Sequence, residues 1–507
     1  MFGFVCLSAN AQITFQKAYG GTGYNSGNSV QQTTDGGYII TGESDNYNQA
    51  GDVYLIKTNP YGDTLWTKTY GGPYFDWGNS VQQTTDGGYI IAGGTKSFGI
   101  GANNLYLIKT NSTGDTLWSK TYSIIVDDFE SSIQQTTDGG YIITGYTYTS
   151  GLYSEKVYLI KTNSIGDTLW TKTYGGTNYD QGNYVRQTTD GGYIITGSTN
   201  SFGSGGEDVY LIKTNSNGDT LWTKTYGGTN NDIGYCIQQT TDGGYIIAGY
   251  TQSFNSGGVY LIKTNVSGDT LWTKTYSGGS SNGNSVQQTT DGGYVIVGGA
   301  GGFSLDSGKV YLIKTNSVGD TLWTRCYGGT NYDWAYSVQQ TIDGGYIIVG
   351  GCDSGAYLIK TDVNGNSGCN QFNPPTIIGL TNTLITIPHT QVSSGGIITS
   401  PLTQIRNGGT IITFCSSSGI DEIKTTSSIS LYPNPTNGIF TLSYNSQLFI
   451  LHSQFKIYDV AGREVYTQPI INQESAIINV SNLSNGIYFY QLINNTETYR
   501  GKFVIEK

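Results

Sequence analysis

Seven near-copies of one string, DGGYIITG, begin at Asp35, Asp86, Asp138, Asp190, Asp242, Asp291 and Asp343. The steps between them are 51, 52, 52, 52, 49 and 52 residues. So regular a period confines the chain to a repeat architecture, in which each copy is one supersecondary unit that buries its apolar faces against its neighbours. Within the unit Asn28–Gly72, four segments have strand composition: Ser29–Thr33, Tyr38–Thr41, Val53–Thr58 and Thr64–Tyr70. β-branched and aromatic residues fill them, and no 3.6-residue period predicts a helix. Asp35-Gly36-Gly37 and the Gly-containing NPYGD mark hairpin turns. The segment VYLIKT is apolar on both faces, so its sheet must lie between two similar sheets. Four-stranded sheets of this repeat length, stacked radially, are the blades of a β-propeller.

The ends of the array favour a closed ring over a linear solenoid. Strands of the YLIKT type occur seven times, whereas the GDTLW strand occurs six times, with Trp66, Trp118, Trp170, Trp222, Trp272 and Trp323. The missing copy stands at the other end of the chain. ITFQKAYGG, from Ile13 to Gly21, matches TLWTKTYGG with Phe15 in the tryptophan position. The first strand is therefore expected to complete the last blade, which removes exposed sheet edges. The expected fold is all-β, a seven-bladed β-propeller over 12–365 closed by the N-terminal strand.

Residues 366–427 change character and are expected to form a small β-rich connector, with Cys369 and Cys415 positioned to pair in an oxidising compartment. Two echoes, TQVSSGGIIT and TQIRNGGTIIT, begin at Thr390 and Thr403. From 428 to 507, alternating apolar and polar residues between Asn-Gly and Ala-Gly turns predict a small antiparallel, Ig-like β-sandwich. This segment resembles the C-terminal sorting domain of the bacterial type IX secretion system. The resemblance rests on Pro433-Asn434-Pro435 with Gly438, on Asp459 and Gly462 in YDVAGREV, on Asn485-Gly486-Ile487-Tyr488, and on Lys502 and Lys507. It implies Sec-dependent passage of the inner membrane, then outer-membrane passage by the type IX machinery to the cell surface or medium. Residues 1–11 agree with this: Ala9-Asn10-Ala11 has the form of a signal-peptidase site, with Gln12 as the first mature residue.

Composition narrows the chemistry. A net charge of −11 argues against a nucleic-acid partner, and no apolar run is long enough to span a membrane. No histidine precedes Phe372; His389 and His452 lie beyond the repeats, so a Ser-His-Asp triad or a histidine metal site inside the repeats is excluded. Repeated carboxylates, Asp35 and Asp63 with their equivalents, are expected to serve turn geometry. A third set, Asp76, Asp180, Asp232 and Asp333, with Asn25 and Asn282 in related loops, lies in the links between units. Ca²⁺ ligation there is the alternative to an Asx turn, and it is not favoured because no loop has calcium-loop spacing. Asp127, Asp128 and Glu130 crowd one loop but offer no unique partner, so no catalytic residue, metal or cofactor is assigned.

Function is therefore expected in variable loops: a non-catalytic exported protein whose ring binds a glycan or a surface protein through Tyr-bearing loops such as those at Tyr146 and Tyr250. A polysaccharide-degrading enzyme and a structural surface component are the alternatives.

Overall fold

In the computed structural model of the chain, residues 12–374 are described apart from 22, 46–49, 101, 124–127, 149–153, 256, 278–279, 302–307 and 330–331. Beyond them it describes strands between 377 and 416, and residues 430–507 apart from 444–452, 460–461, 471–474 and 494–497. The expected signal remnant lies outside the described residues, as do Asp127, His389 and His452. Two compact units emerge, Met1–Ser417 and Ser418–Lys507.

Each repeat is an antiparallel meander, and its turns show why. Gly36 adopts φ of +82°, and a Cβ on Gly37 would run into the Thr58 carbonyl oxygen, so the DGG turn excludes other residues. The Asp35 carboxylate closes the turn by accepting from the Gly37 N–H at 3.0 Å and the Thr33 hydroxyl at 2.5 Å. Lys57, from the third strand, completes it with an ion pair at 2.9 Å, burying its stem and leaving the charge paired. The same pair recurs as Asp86–Lys109, Asp138–Lys161, Asp190–Lys213, Asp242–Lys263, Asp291–Lys314 and Asp343–Lys360. In the first repeat the strands are Asn25–Gln32, Tyr38–Ser44, Asp52–Thr58 and Thr64–Gly71. The third is buried along its whole length, as an apolar strand between two sheets must be.

Among the described residues the repeats make seven such sheets, here numbered from the one at Asn25–Gly71. The seventh takes its fourth strand from the N-terminus: Phe15–Gly20 pairs antiparallel with Gly355–Thr361. Phe15 meets Tyr38 edge-on at 6.2 Å, as Trp66 meets Tyr89 at 5.9 Å and Trp323 meets Tyr346 at 5.8 Å. Tyr19 donates its hydroxyl to the Gly62 carbonyl of sheet 1 at 2.6 Å, the bond that Tyr70 makes to Gly114 and Tyr327 to Gly365. Apolar packing follows the same order. Ile39, Val53 and Leu55 of sheet 1 pack on Val81, Tyr89 and Ile91 of sheet 2. Ile347, Val349 and Leu358 of sheet 7 pack on Val30, Tyr38 and Ile40 of sheet 1.

Every sheet has a fifth strand that the repeats do not supply. Gln371–Phe372 lies on sheet 6, Ile377–Leu380 on sheet 5, Leu384–Thr386 on sheet 4 and Gln391–Ser393 on sheet 3. Ile397–Thr399 follows on sheet 2, Gln404–Arg406 on sheet 1, and Thr410–Ser416 on the N-terminal strand in sheet 7. The chain thus retraces the sheets in reverse order, pairing the outer strand of each, which would otherwise present unpaired backbone groups to solvent. A Cys369–Cys415 disulfide, with the Cα atoms 6.1 Å apart, joins the two ends of this belt beside sheet 7.

The second unit has a three-stranded and a four-stranded sheet. The first orders Ser430–Tyr432, Ile439–Ser443 and Ser475–Asn479; the second orders Glu464–Ile470, Ser453–Tyr458, Gly486–Ile493 and Thr498–Ile505. Phe440, Leu442 and Ile478 of the one share a core with Phe455, Ile457, Tyr490 and Phe503 of the other. Along Ser475–Asn479 exposed and buried residues alternate, as a sheet with one buried face requires.

Candidate functional site

The first strand of every sheet faces a common cavity of about 460 Å³. Its lining steps through the repeats: Ser29, Ser80, Tyr184, Ser285 and Ser337 on one level, and Gln31, Gln82, Gln134, Gln238, Gln287 and Gln339 on the next. Arg186 takes the glutamine position in sheet 4 and is the one charged residue among the described lining. A second level of glutamines links neighbouring sheets. The backbone N–H of Thr34 donates to Gln83 Oε1 at 2.9 Å, Thr189 to Gln239, Thr290 to Gln340, and Ile342 of sheet 7 to Gln32 of sheet 1, each at 2.9 Å.

The cavity opens into a mouth of about 560 Å³. Five aromatic side chains face it: Tyr24, Trp77, Tyr184, Tyr235 and Tyr336, with Tyr24 52% and Tyr336 44% exposed. Between them stand the amides of Asn28, Asn79, Asn183, Asn282 and Asn284. Three of these are held from behind: Asn28 donates to the Gly78 carbonyl at 2.9 Å, Asn183 to Gly234 at 2.9 Å and Asn284 to Ala335 at 2.7 Å. Asn28 Oδ1 also accepts from the Ser26 hydroxyl at 3.3 Å and Asn284 Oδ1 from the Asn282 amide at 3.0 Å, and each oxygen has a second lone pair. Trp77 lies over Gly94, where any Cβ would collide with its ring. Glu43 is the one carboxylate among the described residues lining the mouth. Burial, with Asp45 nearby, holds it above the usual carboxylate range despite hydrogen bonds from Ser26 and Tyr24.

Other carboxylates singled out in the sequence lie elsewhere. Asp76 Oδ2 accepts from the Gly72 N–H at 2.8 Å and the Ser97 hydroxyl at 2.7 Å, so it closes a local turn; Asp180 and Asp232 do the same with Gly176 and Gly228. Asp333 accepts from the Gly329 N–H at 3.1 Å and faces Lys309 at 3.7 Å. Burial raises all four carboxyls, that of Asp333 to about 6. Asn25 donates to the Gly23 carbonyl at 2.8 Å, and Asn282 accepts from the Gly299 N–H at 2.9 Å. Asp63 pairs with Lys17 at 2.7 Å, tying the N-terminal strand to sheet 1. Asp128 and Glu130 enter a strand paired with Tyr141–Tyr148, and their side chains lie outside the described residues. Among the described residues no group of three or more His, Cys, Asp or Glu side chains is placed to hold a metal ion. Of the loop tyrosines, Tyr146 stacks on Phe129 at 5.0 Å, and Tyr250 lies opposite Ile233.

The mouth aromatics carry no loop signal in the sequence: Trp77, Tyr184, Tyr235 and Tyr336 sit in first strands, and Tyr24 directly precedes one. Their signal is the variation of single columns in nearly identical repeats: Asn28, Asn79, Ser131, Asn183, Tyr235, Asn284 and Tyr336 are one column. Ser29, Ser80, Ser132, Tyr184, Cys236, Ser285 and Ser337 are the next.

The residues quoted for the sorting-domain resemblance build the turns of the second unit. Asn434 Oδ1 accepts the Val504 N–H at 2.9 Å, pinning the Pro433–Pro435 segment to the last strand. Gly438, at φ of +106°, packs against the Ser481 backbone with no room for a Cβ. Asp459 caps the turn at Gly462 by accepting the Arg463 N–H at 3.0 Å and its Nε at 2.8 Å. Gly486 opens the strand in which Tyr488 stacks on Phe503 at 5.8 Å. Lys502 is exposed on the last strand, and Lys507 donates to the Ser481 and Leu483 carbonyls.

Residues 430–506 match the family described as the Secretion system C-terminal sorting domain. No curated protein matches the chain by sequence. Among solved structures, Sqt1 from Chaetomium thermophilum is similar at 8% identity over 69% of this chain and 99% of its own, with a TM-score of 0.41. A mutant puromycin hydrolase complexed with PGG is similar at 12% identity over 69% of this chain and 54% of its own, with a TM-score of 0.43; the chain spans about half its length. The endo-1,5-alpha-L-arabinanase from Thermotoga petrophila is similar at 14% identity over 69% of this chain and 100% of its own, with a TM-score of 0.28. Likeness at this level says nothing about activity. The C-terminal segment is a type IX secretion sorting domain, and it directs the chain to the cell surface or the extracellular space.

Proposed function

We propose that the chain is an exported, non-catalytic binding protein. Its repeats over 12–365 form a closed seven-bladed β-propeller, residues 366–427 belt the ring, and 428–507 form an Ig-like sorting domain. The mouth of the ring takes a glycan. One observation carries this reading: five aromatic rings and five side-chain amides converge on a single concave mouth. The C–H face of a pyranose stacks on such rings, and its hydroxyls pair with the amides. Closure of the ring is supported by the Tyr19–Gly62 and Ile342–Gln32 hydrogen bonds, which join the last sheet to the first.

The non-catalytic part rests on the carboxylates. Glycoside hydrolysis by the usual route needs two of them flanking one bond, and among the described lining Glu43 stands without a second. Binding of the full chain to insoluble polysaccharides, assayed together with release of reducing and unsaturated sugar ends, tests the proposal. Trp77→Ala and Tyr336→Ala are expected to weaken retention roughly ten- to thirtyfold each. Retention unaffected by either change refutes the mouth as the site, and sugar release refutes the non-catalytic assignment.

A further inference from the structure

We propose that the cavity beneath the mouth carries a carboxylate site, formed by the Arg186 guanidinium and the Gln239 backbone N–H, which receives the acidic group of a uronate-bearing glycan. The sugar part of this inference rests on the reading of the mouth given above. The argument begins from a circle of hydrogen bonds that is complete except at one step. Gln31 Oε1 accepts the N–H of Gln83 at 2.6 Å, Gln82 that of Gln135 at 2.7 Å, and Gln134 that of Gln187 at 2.7 Å. Gln238 accepts from Gln288 at 2.6 Å, Gln287 from Gln340 at 2.5 Å, and Gln339 from Gln32 at 2.7 Å. In sheet 4 the same position is Arg186, which has donors and no acceptor.

The N–H that this position should receive belongs to Gln239. Gln239 pairs in register with Tyr245 just as Gln83 pairs with Tyr89, so its N–H is directed toward position 186 of the neighbouring sheet as the other six are directed toward a glutamine oxygen, and Gln239 lines the cavity. It lacks the side-chain acceptor the other six have. A guanidinium and a backbone donor therefore converge where every other sheet supplies its own oxygen. Arg186 has no carboxylate partner among the described residues. Its guanidinium lies 4.7 Å from the centroid of the Tyr184 ring and donates to the Tyr184 hydroxyl at 2.5 Å.

A half-buried cation without a counter-ion is unfavourable, and a planar carboxylate matches the guanidinium fork while accepting the stranded N–H. Ser29, Ser80, Tyr184, Ser285 and Ser337 line both the cavity and the mouth. A sugar chain seated on the mouth aromatics can thus lower one substituent to Arg186. The cavity volume falls within the range of small-molecule sites. Glu43 at the rim disfavours a highly charged polymer lying flat, which leaves a single acidic residue pointing inward as the better fit.

Two measurements test this with the full chain and with Arg186→Gln, which restores the glutamine of the other six sheets. Crystals soaked in sodium iodide are expected to show an anomalous peak within hydrogen-bonding distance of the guanidinium and the Gln239 N–H, and none in the variant. No peak in the wild type, or a peak that persists in the variant, overturns the anion site. Calorimetry then compares a neutral oligosaccharide carrying a single galacturonate residue with its methyl ester. The acid is expected to bind about ten- to hundredfold more tightly than the ester, and Arg186→Gln to bring that ratio to about one. Equal affinity for acid and ester in the wild type overturns the uronate assignment and leaves the glycan reading intact. Failure of both to bind, with iodide in place, overturns the glycan reading and the uronate assignment together, leaving only an anion site.

Discussion

Opening the Cys369–Cys415 bond releases the clasp of the belt, and the size of the effect follows from the loop it closes. The cysteines are 46 positions apart in sequence. In the chain-entropy treatment a loop of that length restricts the unfolded state by about 4 kcal/mol. Spread over a unit of about 400 residues, with an unfolding entropy near 2 cal/mol/K per residue, this corresponds to a fall in melting temperature of about 5 °C. The double variant Cys369→Ser, Cys415→Ser is the perturbation, with reductant on the wild type as a second route to the same state. Cys236, Cys326 and Cys352 are buried and unpaired, so reductant has no other bond to break among the described residues. Calorimetry reads the global shift. Hydrogen exchange reads the local one: amides of the belt strands and of the outer strands they cover should exchange faster. A melting temperature unchanged to within about 1 °C, together with unchanged exchange at Ile377–Leu380 and Gln391–Ser393, would refute the belt as a stabilising closure.

If the N-terminal strand is an ordinary fourth strand, Tyr19→Phe and Tyr174→Phe should cost the same, about 1–3 kcal/mol each, because each strands one buried carbonyl; a silent Tyr19→Phe contradicts ring closure. Acid should destabilise the repeats late. For Asp86, burial pushes the carboxyl up, but the Thr84 hydroxyl, the Lys109 ammonium and the Gly88 N–H outweigh it and hold it at about 2. Asp190 and Asp291 behave alike, so their contribution is present above about pH 4 and is lost as pH falls toward 2; Lys109→Met should shift the acid transition upward. Asp208 has the opposite sign: burial, with Asp232 beside it, raises it to about 7, so its folded form holds a proton that the unfolded chain has released. Stability should decline from about pH 4 through 7, and Asp208→Asn should melt above the wild type at pH 8 but not at pH 4. A chain ending near Ser427 should accumulate in the periplasm of a host with the type IX system; normal export would contradict the role of residues 430–506.

The repeat unit was legible because its signals are local. The DGG turn, the doubly apolar YLIKT strand and the tryptophan column each state their own geometry. The displaced ITFQKAYGG copy was legible for the same reason, since one strand carries Phe15, Lys17 and Tyr19 in the spacing of the other six. The belt was harder to read. Its segments recur every six or seven residues, as Thr-Ile-Ile at 376, Thr-Leu-Ile at 383, Thr-Gln-Val at 390, Gly-Ile-Ile at 396, Thr-Gln-Ile at 403 and Thr-Ile-Ile at 410. Only the echoes at 390 and 403 are conspicuous, because each strand is short and its partner lies about 100 to 400 residues away. Pairing at such range leaves no local mark. The site is less legible for a different reason: Tyr184 and Arg186 are substitutions in otherwise nearly constant columns of the first strand, and Trp77 stands in a column that differs from repeat to repeat, so none of them forms a motif of its own. In a chain built of copies, a change in one column is the place where symmetry has been given up.

The claim that the mouth of the ring is a glycan site is tested most directly by the crystal structure of the full chain with a bound oligosaccharide. The account predicts sugar density in the mouth, with pyranose faces on Trp77 and Tyr336 and hydroxyls within hydrogen-bonding distance of the Asn79 and Asn284 amides. Sugar bound on the outer loops with the mouth unoccupied would contradict it.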